Sequence, residues 1–413
     1  MTDDIFELDL TTMAHGGRAM GRHQGQVIFV PYTIPGERIE ARLTGRSGRV
    51  AFAEGLRLLE ASADRVWPQC PHFGPGRCGQ CQWQHIDYAA QLLLKQDVLA
   101  DQLARIGGLD DVDVLPTIPA PATQGYRWGL TLRVNRAGQP GLPSDRAGQV
   151  VWPEACHVAH PDLLELLPRL ELDIEGLREL QLLRGSDGAL MLLLTMRNDR
   201  APELLSDLPA SVNMLLKGGE PVNLIGASHL VREVAGRRFR VTAGSSFRAH
   251  DALLPRLATL VREWLAPKAG EHVLDLYAGV GFFSAFLAEE AGLVTLVERF
   301  PPAVTDAEGN LEDFDNIDLI EGRVEEVLPE LDTPVDAALV DPPREGLSAE
   351  AVDSLAACGA ARLVYVSGDA ATLARDARRL RARGWQLRQA QPVDLEPLTW
   401  RIDTVALLER SRA

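Results

Sequence analysis

The residues best suited to chemistry fall into two groups, and the first is sulfur. The chain has five cysteines, Cys70, Cys78, Cys81, Cys156 and Cys358. An odd count in a chain of 413 residues argues against a disulfide framework. Cys70, Cys78 and Cys81 follow a Cys-x7-Cys-x2-Cys spacing, and Cys156 comes far downstream. Clustered thiolates suit zinc or an iron–sulfur cluster, because both take soft sulfur ligands in roughly tetrahedral array. Zinc ribbons usually pair two Cys-x2-Cys knuckles, and this chain has one, which leans toward iron–sulfur. The bland alternative is four unrelated buried cysteines. Cys358 reads as a small helix-packing residue.

The second group would hold a nucleoside cofactor. The run from His272 through Asp275, Tyr277, Gly279, Gly281 and Phe282 to Ser284 reads as strand, glycine turn and helix. A dinucleotide fingerprint needs a third glycine, and Ser284 stands in its place. Gly279 and Gly281 would instead let the backbone approach a carboxylate-bearing ligand such as S-adenosylmethionine. The next strand ends at Glu298, where a carboxylate can accept both ribose hydroxyls. A later strand, Ala337 to Val340, runs into Asp341-Pro342-Pro343-Arg344, a loop stiffened beside the reacting methyl group. A nicotinamide enzyme is the alternative for the glycine turn, and the Asp-Pro-Pro loop disfavours it.

Bulk composition sets the frame. A hydrophobic share of 46% and a charged share of 24% fit a globular protein of about three domains. The longest apolar run, near Leu190 to Leu194, is far short of a membrane span, and no membrane association is expected. The acidic start Met1-Thr2-Asp3-Asp4 does not read as a signal peptide, so the cytoplasm is the expected compartment. The net charge of −16 argues mildly against nucleic acid. Arg38, Arg42, Arg46, Arg49 and Arg57 form a locally basic stretch, which is either a solvated strand face or an RNA contact.

Three kinds of element must position these groups. From Ile5 to Leu59, Phe6, Leu8 and Leu10 alternate with polar residues, as do Val27 and Phe29, and Gly16-Gly17 and Pro35-Gly36 mark turns. Short strands at this spacing predict a small OB-like barrel. Leu92, Leu93, Leu99, Leu103 and Ile106 predict a helix stopped by Gly107-Gly108. A β-rich stretch follows, with strands at Leu130–Val134, Leu180–Leu183, Leu190–Met196 and Phe239–Val241 and a short helix near Leu163–Leu170. From about Leu253, helices and strands alternate, the pattern of a doubly wound parallel sheet. The fold class is thus multidomain α+β and α/β.

Several of these stretches together resemble one family. Leu363-Val364-Tyr365-Val366-Ser367-Gly368-Asp369-Ala370 is similar to a hallmark loop of the RNA uracil-C5 methyltransferases of TrmA and RumA type. Cys78-Gly79-Gln80-Cys81-Gln82-Trp83-Gln84-His85 resembles their cluster motif, and Cys156 stands where their fourth ligand would. Gly16-Gly17-Arg18 through Pro35-Gly36-Glu37 resembles the TRAM domain, an RNA-binding barrel. The resemblance spans the chain. It implies a TRAM-like barrel at 1–62, an iron–sulfur segment with a central β-rich domain at 63–240, and a Rossmann-like S-adenosylmethionine-dependent domain at 241–413. It also implies a 4Fe–4S cluster, a ribosomal or transfer RNA partner and a monomer. Arg248, Tyr277, Phe282, Glu298, Arg323 and Asp341 would line the cofactor pocket.

The departures from the family pattern fall in the active site. In the family a thiolate adds to uracil C6 and makes C5 nucleophilic, and a base later removes the C5 proton. Here Gly368 stands where that cysteine would be. The family's His-x-Glu matches Arg401-Ile402-Asp403, leaving Asp403 as candidate base, and its Phe-Gln matches Phe247-Arg248. Ser367 is a poorer nucleophile, and Cys358 is expected on a helix away from the site. The resemblance therefore implies an S-adenosylmethionine-dependent RNA methyltransferase whose target need not be C5, a nitrogen being chemically easier. The alternative is an RNA- and cofactor-binding assembly factor without transferase activity.

Overall fold

A computed structural model describes residues 5–170, 174–203 and 207–410; the acidic start Met1–Asp4 lies outside the described residues. Strands Ile5–Met13, Ala19–His23, Gln26–Val30, Arg38–Ser47 and Val50–Glu60 close into a barrel. Leu8, Leu10, Ile39, Ala41, Ala51 and Ala53 alternate inward and are buried. In strand Gln26–Val30 the phase differs by one residue from the expectation. Ile28 and Val30 fill the barrel, and Phe29 lies on the outer face, stacked on Phe52 with centroids 5.9 Å apart. A strand apolar on both faces does not reveal its phase from composition. The basic stretch is partly neutralised across strands: Arg38 pairs with Glu7, Arg42 with Glu54 at 2.5 Å and Arg57 with Glu40 at 3.2 Å.

Helix Tyr88–Arg105 begins at Asp87, whose carboxylate accepts the Ala89 N–H at 3.0 Å, and ends before Gly108 at φ 64°. Leu99 and Leu103 are buried as the spacing predicts, but Leu93 is 63% exposed. The buried side is completed by Gln91 and Lys95 instead, and Lys95 reaches Asp394 at 2.5 Å with both side chains fully enclosed. A paired lysine can occupy a core position that a hydropathy pattern reserves for leucine.

The central sheet runs in the order Pro221–Ile225, Ala210–Leu215, Leu190–Met196, Leu177–Arg184, Gly129–Val134, Pro140–Pro143, Val150–Val151. One face, carrying Leu130, Leu132, Leu180 and Leu182, packs with Leu163 and Leu166 of helix Pro161–Leu166. The hairpin His229–Val234 and Arg237–Thr242 then leads to the C-terminal sheet.

That eight-stranded sheet is ordered Ile317–Glu321, Leu293–Glu298, His272–Leu276, Ala337–Val340, Arg362–Ser367, Asp403–Arg410, Trp385–Val393, Asp113–Val114. The first five strands are parallel, and Asp403–Arg410 runs antiparallel to its two neighbours. The chain extends to one side of His272–Leu276 and then returns to its other side, so a switch point opens between His272–Leu276 and Ala337–Val340. Because Asp403 begins an antiparallel strand, it lies at the same edge as the residues that end the parallel ones. The edge strand Asp113–Val114, from the segment after the cysteines, was not expected from the sequence. Among the described residues no helix is long and apolar enough to cross a membrane.

The turn after His272–Leu276 is fixed from below. Asp275 is fully buried and accepts the Ser284 hydroxyl at 2.5 Å, while its Oδ1 has no hydrogen-bond partner. Burial raises its pKa from 3.8 to about 7, against the opposing Ser284 bond. The folded state then holds a proton that the unfolded chain releases near pH 4, so Asp275 makes stability fall as pH rises from about 4 to about 7. Asp275→Asn should lack this loss. Thermal unfolding should find the variant's stability relative to wild type growing between pH 4 and 8, by up to about 4 kcal/mol. A constant difference across that range would contradict the assignment.

Candidate active site

Three charged side chains from distant segments meet above the carboxyl edge of the sheet. The Arg248 guanidinium donates to Asp403 Oδ1 at 2.7 Å and to Asp341 Oδ1. Its backbone is anchored by the Trp128 indole N–H, which donates to the Arg248 carbonyl at 2.8 Å. Asp341 follows strand Ala337–Val340 directly, and its N–H donates to Leu276 O at 3.1 Å. Burial pushes the Asp403 carboxyl up to about 6, with Arg248 pulling it back. Asp341 is likewise raised by burial and restrained by Arg248. Burial opposes the charge of Arg248, but the two carboxylates outweigh it and raise the guanidinium further.

Gly368 borders this cluster. A Cβ built on it would lie 3.6 Å from Arg344 Cγ and 3.7 Å from Asp403 Oδ1, ordinary contact distances. Its φ is outside the left-handed region. Neither backbone nor packing requires a glycine here. Ser367 is 4% exposed and turned into its own loop, its hydroxyl donating to Asp369 O at 2.9 Å. Cys358 caps helix Ala349–Ala357 and donates to Leu355 O at 3.1 Å. It precedes strand Arg362–Ser367, whereas Gly368 follows it, so the strand's length separates the two. Asp369 caps the next helix and faces His15 of the barrel at 3.2 Å; burial opposes its charge, but the His15 and Thr372 bonds take it down to about 2.

Glu396 was not singled out in the sequence. It pairs with Arg344 at 2.8 Å, Arg127 at 3.1 Å and Arg401 at 3.6 Å, and so joins the Pro-Pro-Arg loop to the central sheet and to the segment before Asp403. A carboxylate in an irregular loop carries no periodic signal. The only hint was the surplus of arginine at Arg344 and Arg401.

The cofactor candidates separate into an upper and a lower set. Tyr277 at φ 62° and Gly279 at φ 56° form the turn, and a Cβ at Gly279 would meet nothing within 4 Å. Glu298 accepts the N–H groups of Gly279 at 2.9 Å and of Arg299 and Phe300 at 2.8 Å, clamping the turn to the neighbouring strand end. Arg323 follows the outermost strand and is largely exposed, 3.7 Å from Glu325. Below them, a Cβ on Gly281 would come within 2.7 Å of Leu311, so that glycine serves helix packing. Phe282 sits in a ring cluster with Phe239 at 5.5 Å and Phe247 at 5.6 Å. Asp275 is enclosed beneath the turn.

Cys70, Cys78, Cys81 and Cys156 line one small cavity of about 20 Å³. Burial, then the proximity of the other three thiols, pushes Cys78 up to about 12. Burial raises Cys81 to about 11, opposed by the Arg127 charge. The four donors therefore converge, and their softness fits a thiophilic metal centre. Among the described residues no three His, Cys, Asp or Glu side chains already stand in a metal-holding group.

No family model matches the chain. It is similar to a protein of Streptomyces avermitilis described as an uncharacterized RNA methyltransferase, at 36% identity over 98% of each chain. A protein of Thermosynechococcus vestitus with the same description is 32% identical over 98% of each. Among solved structures, the Pyrococcus abyssi tRNA (uracil-54, C5)-methyltransferase in complex with S-adenosyl-L-homocysteine superposes with a TM-score of 0.73 at 23% identity, covering 97% of this chain and 99% of that one. That likeness establishes a shared fold. Nothing in these relatives supports a non-catalytic assembly factor. With full-length relatives at this identity, the chain belongs to the RNA methyltransferases.

Proposed function

We propose that this protein methylates RNA with S-adenosylmethionine, and that the accepting atom is an amino or ring nitrogen of a base held above Gly368. The convergence of Arg248, Asp341 and Asp403 on a space without a thiol supports this reading. S-adenosylmethionine supplies an electrophilic methyl group. Tyr277, Gly279, Glu298 and Arg323, along the carboxyl ends of three strands, would hold it. Uracil C5 lacks the electron density to accept a methyl unaided, and no described cysteine reaches Gly368 to provide it. A nitrogen brings its own lone pair. Asp403, already near neutrality in its buried setting, takes the proton that the nitrogen loses. Arg248 keeps the two carboxylates together without mutual repulsion.

The four cysteines would hold a 4Fe–4S cluster, with zinc as the other soft-ligand choice, and tie the segment after the barrel to the central sheet at Cys156. Anaerobically prepared protein should contain iron and labile sulfide, and Cys78→Ser with Cys81→Ser should lose both. Zinc without sulfide would select the other metal, and neither would refute the centre.

Mass spectrometry of nucleosides from RNA treated with protein and S-adenosylmethionine should show a new N-methylated base; 5-methyluridine instead would overturn the nitrogen assignment. A base must be ionised to act, so the rate should rise through an apparent pKa of about 6 and level off above it. Asp403→Asn should remove that limb and lower the rate roughly 10²–10⁴-fold. Gly368→Cys should fold with stability within about 1 kcal/mol of wild type, because its Cβ meets only ordinary contacts. Chemical denaturation checks this, and a larger loss would show the space is not open.

A further inference from the structure

A second cavity lies behind the Arg248 segment. It measures about 330 Å³ and opens between the face of the central sheet opposite helix Pro161–Leu166 and the stretch Thr242–Ala249. Its volume is in the range of small-molecule sites. Phe247 and Ala249 line it, and the residue between them, Arg248, turns the other way to Asp341 and Asp403. The cavity and the active site therefore share one strip of backbone as a wall.

The lining chemistry is selective. Among the described residues no Lys, Arg, Asp, Glu or His lines the cavity, so they offer no charge to neutralise a phosphate or bind a cation. Trp128, Met191 and Leu193 supply flat or pliable apolar surface. Thr131 and Gln181, direct partners across two strands, place a hydroxyl and an amide in the middle of that surface. The Gln181 amide N–H₂ has only a long 3.3 Å bond to Glu179, and among the described contacts the Thr131 hydroxyl has none. Thr131 and Gln181 thus offer hydrogen-bonding groups from an otherwise apolar sheet face. Trp128 is held rigid, its N–H on the Arg248 carbonyl and the Arg232 guanidinium 4.3 Å from its ring centroid.

A neutral, flat ligand with hydrogen-bonding edges matches these features, and a nucleobase is such a ligand. We infer that this cavity is a second nucleotide pocket, which takes an unstacked base of the RNA strand close to the target base. The inference rests on RNA being the substrate, as proposed above. Because Trp128 bonds Arg248 directly, a base seated against Trp128 also steadies the guanidinium that spans the two carboxylates. Two anchored bases would fix the strand's register over Gly368, which a net charge of −16 does little to do.

The test uses fluorescence anisotropy with 5′-fluorescein-labelled single-stranded RNA 12-mers of mixed sequence, and calorimetry with S-adenosylmethionine. Leu193→Trp, which fills the cavity, should weaken RNA binding roughly tenfold, the scale of one lost base-stacking contact, and leave cofactor affinity within twofold. If Leu193→Trp lowers the melting temperature, the paired change Thr131→Val and Gln181→Leu decides, since it keeps the volume and removes only the edge partners. RNA affinity within twofold of wild type in the folded variants would overturn the pocket. So would an equal loss of cofactor binding, which would make the cavity part of the cofactor site. RNA binding that depends on the cavity, without any methyl transfer, would sink the transferase reading and leave the pocket standing. A wild type that binds none of the RNAs would overturn both.

Discussion

The guanidinium of Arg248 is the contact on which the candidate site depends. Two carboxylates brought side by side in a poorly solvated edge would each suppress the other's ionisation. A cation fixed between Asp341 and Asp403 lets both persist, at the cost of burying three charges that hydrophobic residues of similar volume would pack more cheaply. The arrangement therefore makes sense as site geometry rather than as a stability device. It also joins three separate stretches of chain: the segment leaving the central domain, the loop after the fourth parallel strand, and the start of the last strand.

Asp403 reaches this position because its loop is held from every side. The stretch from Asp394 to Ile402 contacts each other part of the molecule. Lys95 and Tyr88 of the long helix bind Asp394 at 2.5 and 2.9 Å. Arg127 binds Glu396, and the Tyr126 hydroxyl donates to Pro397 O at 3.0 Å. Trp83 N–H donates to Leu398 O at 3.0 Å, where Leu398 adopts the left-handed φ of 66°. The barrel closes the set, since a Cβ on Gly17 would approach Trp400 to 2.6 Å. Left-handed backbone at a leucine costs energy and persists only where surroundings over-determine it. The barrel thus acts on the active site through the shape of one loop as well as through any RNA it touches.

Local elements were legible in the sequence where a single period governed them. Strand Leu190–Met196 and the helix ending at Gly107-Gly108 follow directly from apolar runs and breakers. Where both faces of a strand are apolar, as at Val27–Val30, or where a buried ion pair replaces a leucine, as at Lys95, pattern alone misplaces the core. Cys70, Cys78 and Cys81 stood out by their close spacing, whereas their meeting with the distant Cys156 around one cavity is a product of the fold. The inner workings of the site were not. Arg248 and Asp403 were each marked by position, but their bridge spans 155 residues, and Glu396 and the Trp128 cavity arise only when the central sheet meets the linker. Long-range pairs of this kind leave no periodic trace.

Glycines in this chain divide by what surrounds them, and that division bears on Gly368. At Gly281 and Gly17 φ is 79° and a methyl group would also collide with a neighbour, so conformation and packing both favour glycine. At Gly108 the backbone lies at φ 64°, so conformation dictates it. Gly368 meets neither condition: its φ is ordinary, and a Cβ would meet Arg344 and Asp403 only at ordinary contact distances. A Cβ can therefore be added at this position without a clash, while the glycine itself supplies no nucleophile. On the proposed reading the acceptor would carry its own lone pair, and the protein would hold it in line and remove its proton.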